Sequence, residues 1–229
     1  MRAPFLLASA GLFILAAAGP LASPAAAEAS EAFSRVEAEG RFKVDVATGA
    51  AHGVEVVGDD AGRVEVRVRG GELQLRQTGG FAFFGPPKLD AVVRVTAPAI
   101  GAIEASRGAR ITADVGGGDL SVIAAQGGMV TVRAGTRPRL EAKAAMGGIV
   151  EVSGTCERLE ASASMGGIVD AEGLACAEVR AEASMGGVIE AQASQVGDAS
   201  ASMGGSVEIA GAPERRTSRA SMGGDVSFH

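Results

Sequence analysis

The feature that most constrains the fold is a Met-Gly-Gly step that recurs along the second half of the chain. Its intervals are 19, 20, 18 and 19 residues, and its methionines are Met146, Met165, Met185, Met203 and Met222. Related steps precede them, Arg107-Gly108-Ala109 and Gln126-Gly127-Gly128. A fixed period of this length is typical of repeat proteins, in which each unit is one supersecondary element. We therefore divide residues 101–229 into seven units.

Apolar and polar residues alternate on both sides of each glycine pair. In one unit Leu159, Ala161 and Ala163 come before the pair, and Val169 and Ala171 come after it. Period two indicates β-strands with one buried face, and paired glycines supply a turn with positive φ. One such unit cannot bury its apolar face alone, but stacked units can. The pattern predicts an all-β protein, a parallel β-solenoid with coils of about 19 residues.

Residues 28–100 lack the period and show shorter alternating runs. Two of these runs are joined by Gly70-Gly71, which is typical of a two-residue hairpin. We expect an antiparallel β-region that caps the solenoid of residues 101–229, because an open sheet edge invites aggregation. No comparable cap follows Phe228, so the C-terminal edge is a candidate contact for a homo-oligomer.

Residues 1–27 have the organisation of a secretory signal peptide: Arg2, an apolar run over 5–18, and a cleavage site at Ala25-Ala26-Ala27. That run is too short to span a membrane as a helix, so no transmembrane span is predicted. We expect export from the cytoplasm, with the mature chain starting near Glu28. The acidic balance of the full chain, 27 Asp plus Glu against 21 Lys plus Arg, disfavours nucleic acid as a partner.

Three groups of residues are candidates for structural roles in stacked coils or for binding. Cys156 and Cys176 each lie nine residues before a methionine, hence in the same slot of adjacent coils, and we expect a disulfide between them. The period of two gives the five methionines the same parity as the buried apolar residues, so we expect them inside, as a structural ladder of the core. The alternative is an exposed, adaptable binding strip. The loop over 81–87 contains Phe81, Phe83 and Phe84, which either plug the end of the core or form a binding or oligomer contact.

An acidic ladder is expected on the outward face, five residues after each of the first four methionines of the Met-Gly-Gly steps. Its members are Glu151, Asp170, Glu190 and Glu208. The main interpretation is a solvated face; the alternatives are a cation or cationic ligand, or a carboxylate pair of a polysaccharide-active enzyme. Trp and Tyr are absent, and neither His52 nor His229 is placed to activate a serine. We therefore predict no catalytic residue, no cofactor and no metal-binding motif.

The order of these parts resembles the family of the auto-transporter adhesin head GIN domain, a bacterial domain of unknown function. The motifs that carry the resemblance are Leu73-Gln74-Leu75, Ala97-Pro98-Ala99-Ile100, Ser106-Arg107-Gly108-Ala109 and the Gly-Gly turns. The resemblance implies a solenoid in the cell envelope of a bacterium, in the periplasm or at the cell surface, with an adhesin-like role. It supplies no catalytic residues. The expected function is a non-catalytic, exported binding module for a glycan or an envelope protein, and the alternative is a periplasmic self-assembly module.

Overall fold

A computed structural model describes residues 26–27, 31–79 and 87–229, and these fold into one 17-stranded sheet that winds on itself. The predicted parallel β-solenoid is confirmed. The strands of the N-terminal part are β1 Ala26–Ala27, β2 Arg35–Glu39, β3 Lys43–Thr48, β4 Gly53–Val57, β5 Val64–Arg69, β6 Glu72–Gln77 and β7 Val92–Ala97, with a 3-10 turn at Ala61–Arg63. Those of the repeat are β8 Ala102–Ser106, β9 Arg110–Asp114, β10 Leu120–Ala125, β11 Met129–Ala145, β12 Ile149–Ser164, β13 Ile168–Ser184, β14 Val188–Ser202, β15 Ser206–Ala210, β16 Arg215–Ser221 and β17 Asp225–Phe228.

Successive coils of the repeat stack in parallel and in register. Leu159 pairs with Val179, and Ala161 pairs with Ala181, one coil further on. These inward positions are 3% exposed or less, so the buried column consists of small and medium apolar side chains, as the alternation predicts. The coils differ in their number of residues, and this difference is accommodated away from the glycine turns. There the pairing register shifts between Glu151 and Gly154 and between Ala171 and Ala175. The glycine corners therefore stay aligned although the coils differ in length.

The corner itself is a β-turn with two residues in the left-handed region. Met165 has φ 50° and Gly166 has φ 72°, and Gly167 N–H donates to the Ser164 carbonyl at 2.9 Å. Two positive φ values with this hydrogen bond define a type I′ turn. A Cβ on Gly167 would lie 2.3 Å from the Ala144 carbonyl oxygen of the preceding coil, so this position has no room for a side chain.

The prediction that the methionines lie in the core is wrong. Met146, Met165, Met185 and Met203 are 46–48% exposed, and Met222 is 79% exposed. The period of two holds only while the strand continues, and each strand ends one residue before the methionine. The turn then gives the methionine positive φ, which directs its side chain away from the core.

The N-terminal part is a mixed cap rather than a wholly antiparallel one. Strands β4 and β5 pair antiparallel with β7 and β6, and β1 pairs antiparallel with β4. The hairpin through Gly70-Gly71 is confirmed by the β5–β6 pairing. However, β2 pairs in parallel with both β6 and β8, and β3 pairs in parallel with both β7 and β9. The coil β2–β3 is therefore inserted between the coils β6–β7 and β8–β9.

Two features interrupt the otherwise apolar interior. Cys156 and Cys176 pair directly across adjacent coils, and a disulfide joins them at a Cα–Cα distance of 4.5 Å. Arg137, in the coil that precedes Cys156, pairs with this cysteine and is only 1% exposed. Its guanidinium donates to the carbonyls of Val115 at 2.7 Å and Gly118 at 3.1 Å. Burial lowers the pKa of Arg137, but these carbonyls satisfy its N–H groups and hold the loop of residues 116–118 against the coil.

Candidate binding surfaces

The acidic ladder forms as a column of paired positions. Glu151 pairs with Asp170, Asp170 with Glu190, and Glu190 with Glu208, each one coil further on. All four residues are half-buried. Because neighbouring strands are about 4.8 Å apart, the column places like charges at close and regular intervals on one flank.

The electrostatics of this ladder favour positive ligands or protons. Burial raises the pKa of Glu190, and the carboxylates of Glu172, Asp170 and Glu208 raise it further. At the two ends of the ladder, other polar groups contact the carboxylates. The Thr131 hydroxyl donates to Glu151 Oε2 at 3.0 Å, and His229 Nε2 lies 3.0 Å from Glu208 Oε1.

The part of the ladder best suited to a cation is its centre. One oxygen from each of Asp170, Glu172 and Glu190 can be chosen so that all three lie within 4.8 Å of one another. Glu172 was not among the residues singled out from the sequence. It lies two residues after Asp170, on the same outward parity, and this spacing is the signal that could have identified it. These oxygens could ligate a hard cation such as Ca²⁺.

The opposite strand segments of the coils show a different charge pattern. There, charges of opposite sign pair across coils: Arg158 with Glu178 at 2.8 Å, and Arg219 with Asp198 at 3.3 Å. Such exposed pairs neutralise each other and contribute little to stability. Near these pairs the charges therefore balance, whereas the acidic ladder stacks like charges from coil to coil.

The second candidate surface is the corner that carries the exposed methionines, which we call the methionine column: Met146, Met165, Met185, Met203 and Met222. Three residues after the first three of them lie Ile149, Ile168 and Val188, which are half-buried or exposed. The glycine pairs separate the two rows. The corner thus exposes two apolar rows, the methionines and the three residues Ile149, Ile168 and Val188, with glycine backbone between them.

The C-terminal edge is a third surface. Strand β16 pairs only with β14, and β17 only with β15, among the described residues. The ring of Phe228 is half-buried against the core, and the Arg216 guanidinium lies 5.8 Å from its centroid. Phe81, Phe83 and Phe84 lie outside the described residues, as does the signal peptide apart from Ala26 and Ala27.

Comparison with known proteins identifies the family of this chain. Residues 32–213 match the sequence profile of the family described as "Putative auto-transporter adhesin, head GIN domain". The chain belongs to the head GIN domain family. A comparison with curated proteins gives no match.

Solved structures share the fold of this GIN domain. A putative adhesin from Bacteroides fragilis has a TM-score of 0.76 at 17% identity, with 87% of this chain and 93% of that one covered. A putative adhesin from Parabacteroides distasonis has a TM-score of 0.65 at 17% identity, with the same coverage. A protein from Parabacteroides distasonis described as a "Putative lipid binding protein" has a TM-score of 0.56 at 14% identity, with 86% and 93% covered. At these identities the similarity establishes the fold of the GIN domain.

Within the described parts of this GIN domain, no helix has the length and apolarity that crossing a bilayer requires.

Proposed function

We propose that this GIN domain is a non-catalytic, exported, adhesin-like module that binds a glycan or an envelope protein along the flank of its solenoid. The observation that carries the proposal is the acidic ladder. It repeats a carboxylate in four successive coils, and its like charges are stacked, while the opposite strand segments carry neutralising ion pairs such as Arg158–Glu178. An extended ligand with regularly spaced hydroxyl or cationic groups could contact several coils at once, and such contacts add through multivalency.

Three further observations support a binding role. The family and two of the three similar structures carry adhesin names. A stack of coils with an apolar interior and a disulfide is a rigid scaffold, which limits the entropy lost on binding. The chain also contains no Trp or Tyr, the aromatic platforms that a polysaccharide-active enzyme would use.

The direct test compares two variants with equal loss of charge. We would measure binding to a glycan array and to envelope fractions for the triple variant Asp170→Asn/Glu190→Gln/Glu208→Gln. The matched control is Glu160→Gln/Glu178→Gln/Glu182→Gln, on the opposite strand segments. Saturable binding that is lost in the first variant and kept in the second supports the proposal. Equal binding by both variants, or no saturable binding by the wild type, contradicts it.

Export is the part of the proposal that rests on residues 1–27. Expression in a bacterial host, fractionation and N-terminal sequencing should recover a chain that begins near Glu28 outside the cytoplasm. An intact N-terminus in the cytoplasm would contradict export while leaving the binding proposal untouched.

A self-assembly module is the second candidate, and the half-paired strands β16 and β17 favour it. Unpaired edges of this kind accept further strands. Sedimentation over a range of concentrations tests this function in the wild type, in a chain lacking Phe228-His229 and in Phe83→Ala. A concentration-dependent oligomer that is lost in either variant supports assembly, and a monomer at all concentrations contradicts it.

A further inference from the structure

The methionines of this chain are concentrated at one corner of the solenoid. Of the seven methionines, five form the methionine column, and Met129 directly follows the related corner Gln126-Gly127-Gly128. Met1 is the only other one. Leucine, isoleucine and valine, in contrast, are spread over the whole chain. Such placement indicates that methionine, and not an apolar residue in general, is needed at this corner.

The fold itself does not explain this choice. The corner position holds Arg107 and Gln126 in the two preceding coils, with φ of 54° and 51°, so the turn accepts polar and charged side chains. Positive φ disfavours any residue with a Cβ, and glycine or asparagine would suit the position better. The side chains are also largely exposed, so they do not fill the core. The property that separates methionine from these residues is its thioether sulfur.

Backbone hydrogen bonds keep the methionines of adjacent coils aligned. Gly147 N–H donates to the Met165 carbonyl at 3.2 Å, and Gly166 N–H donates to the Met185 carbonyl at 3.3 Å. The strands on both sides of the corner are also in register, as in the pairs Ser164–Ser184 and Ile168–Val188. Neighbouring methionines are therefore stacked at the strand spacing, about 4.8 Å.

This spacing suits one kind of ligand. Two sulfurs on opposite sides of a two-coordinate metal ion are about 4.6 Å apart if each metal–sulfur bond has the length of a zinc–sulfur bond, about 2.3 Å. Thioethers are soft ligands that select Cu(I)-type ions over hard cations. At the first four methionines of the column no charged side chain lies within two residues or at the third residue after the methionine, so a multiply charged ion gains no local compensation there.

We propose that the methionine column is a binding site for a soft monovalent metal ion, Cu(I) or Ag(I), held between thioethers of adjacent coils. Each ion uses two neighbouring methionines, so five methionines hold at most two ions. The site lies at the glycine corner and uses no residue of the acidic ladder. It is therefore independent of the proposed adhesin-like function.

The test uses two double variants that differ only in adjacency. Met165→Leu/Met203→Leu leaves Met146, Met185 and Met222, none of which is next to another, whereas Met203→Leu/Met222→Leu leaves three in a row. Both variants keep the apolar character and all histidines. We would titrate the oxidised full chain with Ag(I), and with Cu(I) under anaerobic conditions, by calorimetry.

We expect the contiguous variant to keep one ion at close to wild-type affinity. The alternating variant should bind about 100-fold more weakly or worse, because the second ligand of each pair is lost. Zn(II) should not compete. A third variant replaces all five methionines of the column by leucine. The proposal would be overturned by equal affinities of the two double variants, by undiminished binding in the third variant, or by no saturable Ag(I) binding in the wild type.

A spectroscopic measurement on the wild type covers the case in which a variant fails to fold. Ag(I) should shift the methionine ε-methyl NMR signals of the column. Met129 is the internal reference, because its neighbours in the stack are Arg110 and Ile149 and not methionines. Equal shifts at Met129 and in the column would indicate unspecific binding and overturn the proposal.

Discussion

The glycine corner permits a sharp prediction, because its two glycines are needed for different reasons. Gly166 has φ 72° and no atom within 4 Å of where a Cβ would lie, so Gly166→Ala meets only the strain of the left-handed region, about 1 kcal/mol. A Cβ on Gly167 would lie 2.3 Å from the Ala144 carbonyl oxygen. Gly167→Ala must therefore move the backbone of the turn away from the preceding coil.

That movement affects three hydrogen bonds that involve Gly167 and its neighbour. Gly167 N–H donates to Ser164, Ile168 N–H donates to Gly148, and Val188 N–H donates to the Gly167 carbonyl, at 2.9, 2.9 and 3.0 Å. At about 1 kcal/mol each, their loss adds up to about 3 kcal/mol. Urea unfolding followed by circular dichroism should show this difference between the two variants. If Gly167→Ala were no less stable than Gly166→Ala, the close approach of adjacent coils at the corner would be wrong.

Three further predictions concern the interior, the corner and the ladder. The unfolded, oxidised protein should give no thiol in a colorimetric titration, and reduction of Cys156–Cys176, with a separation of 20 residues, should lower the unfolding free energy by about 3 kcal/mol. Met165→Glu should change the unfolding free energy by less than about 1 kcal/mol, since the side chain is exposed. Ala163→Glu, in contrast, buries an unpaired charge and should prevent folding, as thermal melts would show. Because the pKa of Glu190 is raised, the folded chain binds this proton more tightly than the unfolded one, so stability falls as the pH rises from the ordinary glutamate pKa through the raised one. Glu190→Gln should therefore raise the urea midpoint at pH 7 and have little effect on it well below pH 4. An equal effect at both pH values would contradict the raised pKa.

The repeat could be predicted from the sequence because its signals are local. Leu159 and Ala161 follow a period of two, and a strand converts that period directly into a buried face. The slot shared by Cys156 and Cys176 follows from counting back from the corner. The same counting failed at Met165, because parity holds only within a strand and the turn reverses the direction of the side chain.

The N-terminal topology and the buried arginine could not be predicted in this way. Alternation identifies β2 and β6 as strands, but it does not state which strands are neighbours or in which direction they pair. Arg137 has the sequence context of an exposed residue, and only the carbonyls of the loop over 116–118 make its burial possible. For the acidic ladder the order of residues identified all four members. The position of Glu172, two residues after Asp170, marks it as outward-facing, but its approach to Glu190 depends on how close the side chains of adjacent coils lie.

The insertion of the coil β2–β3 has a consequence for how this chain is made. Its residues leave the ribosome early, yet both neighbours of that coil, β6–β7 and β8–β9, are synthesised afterwards, the second ending at Asp114. Stacked repeats can propagate from coil to coil, but at the N-terminal end this propagation cannot follow the order of synthesis. A fragment that begins at residue 101 would leave β8 and β9 without their neighbours on one side, so the change of period near residue 100 does not mark a place where the chain can be cut.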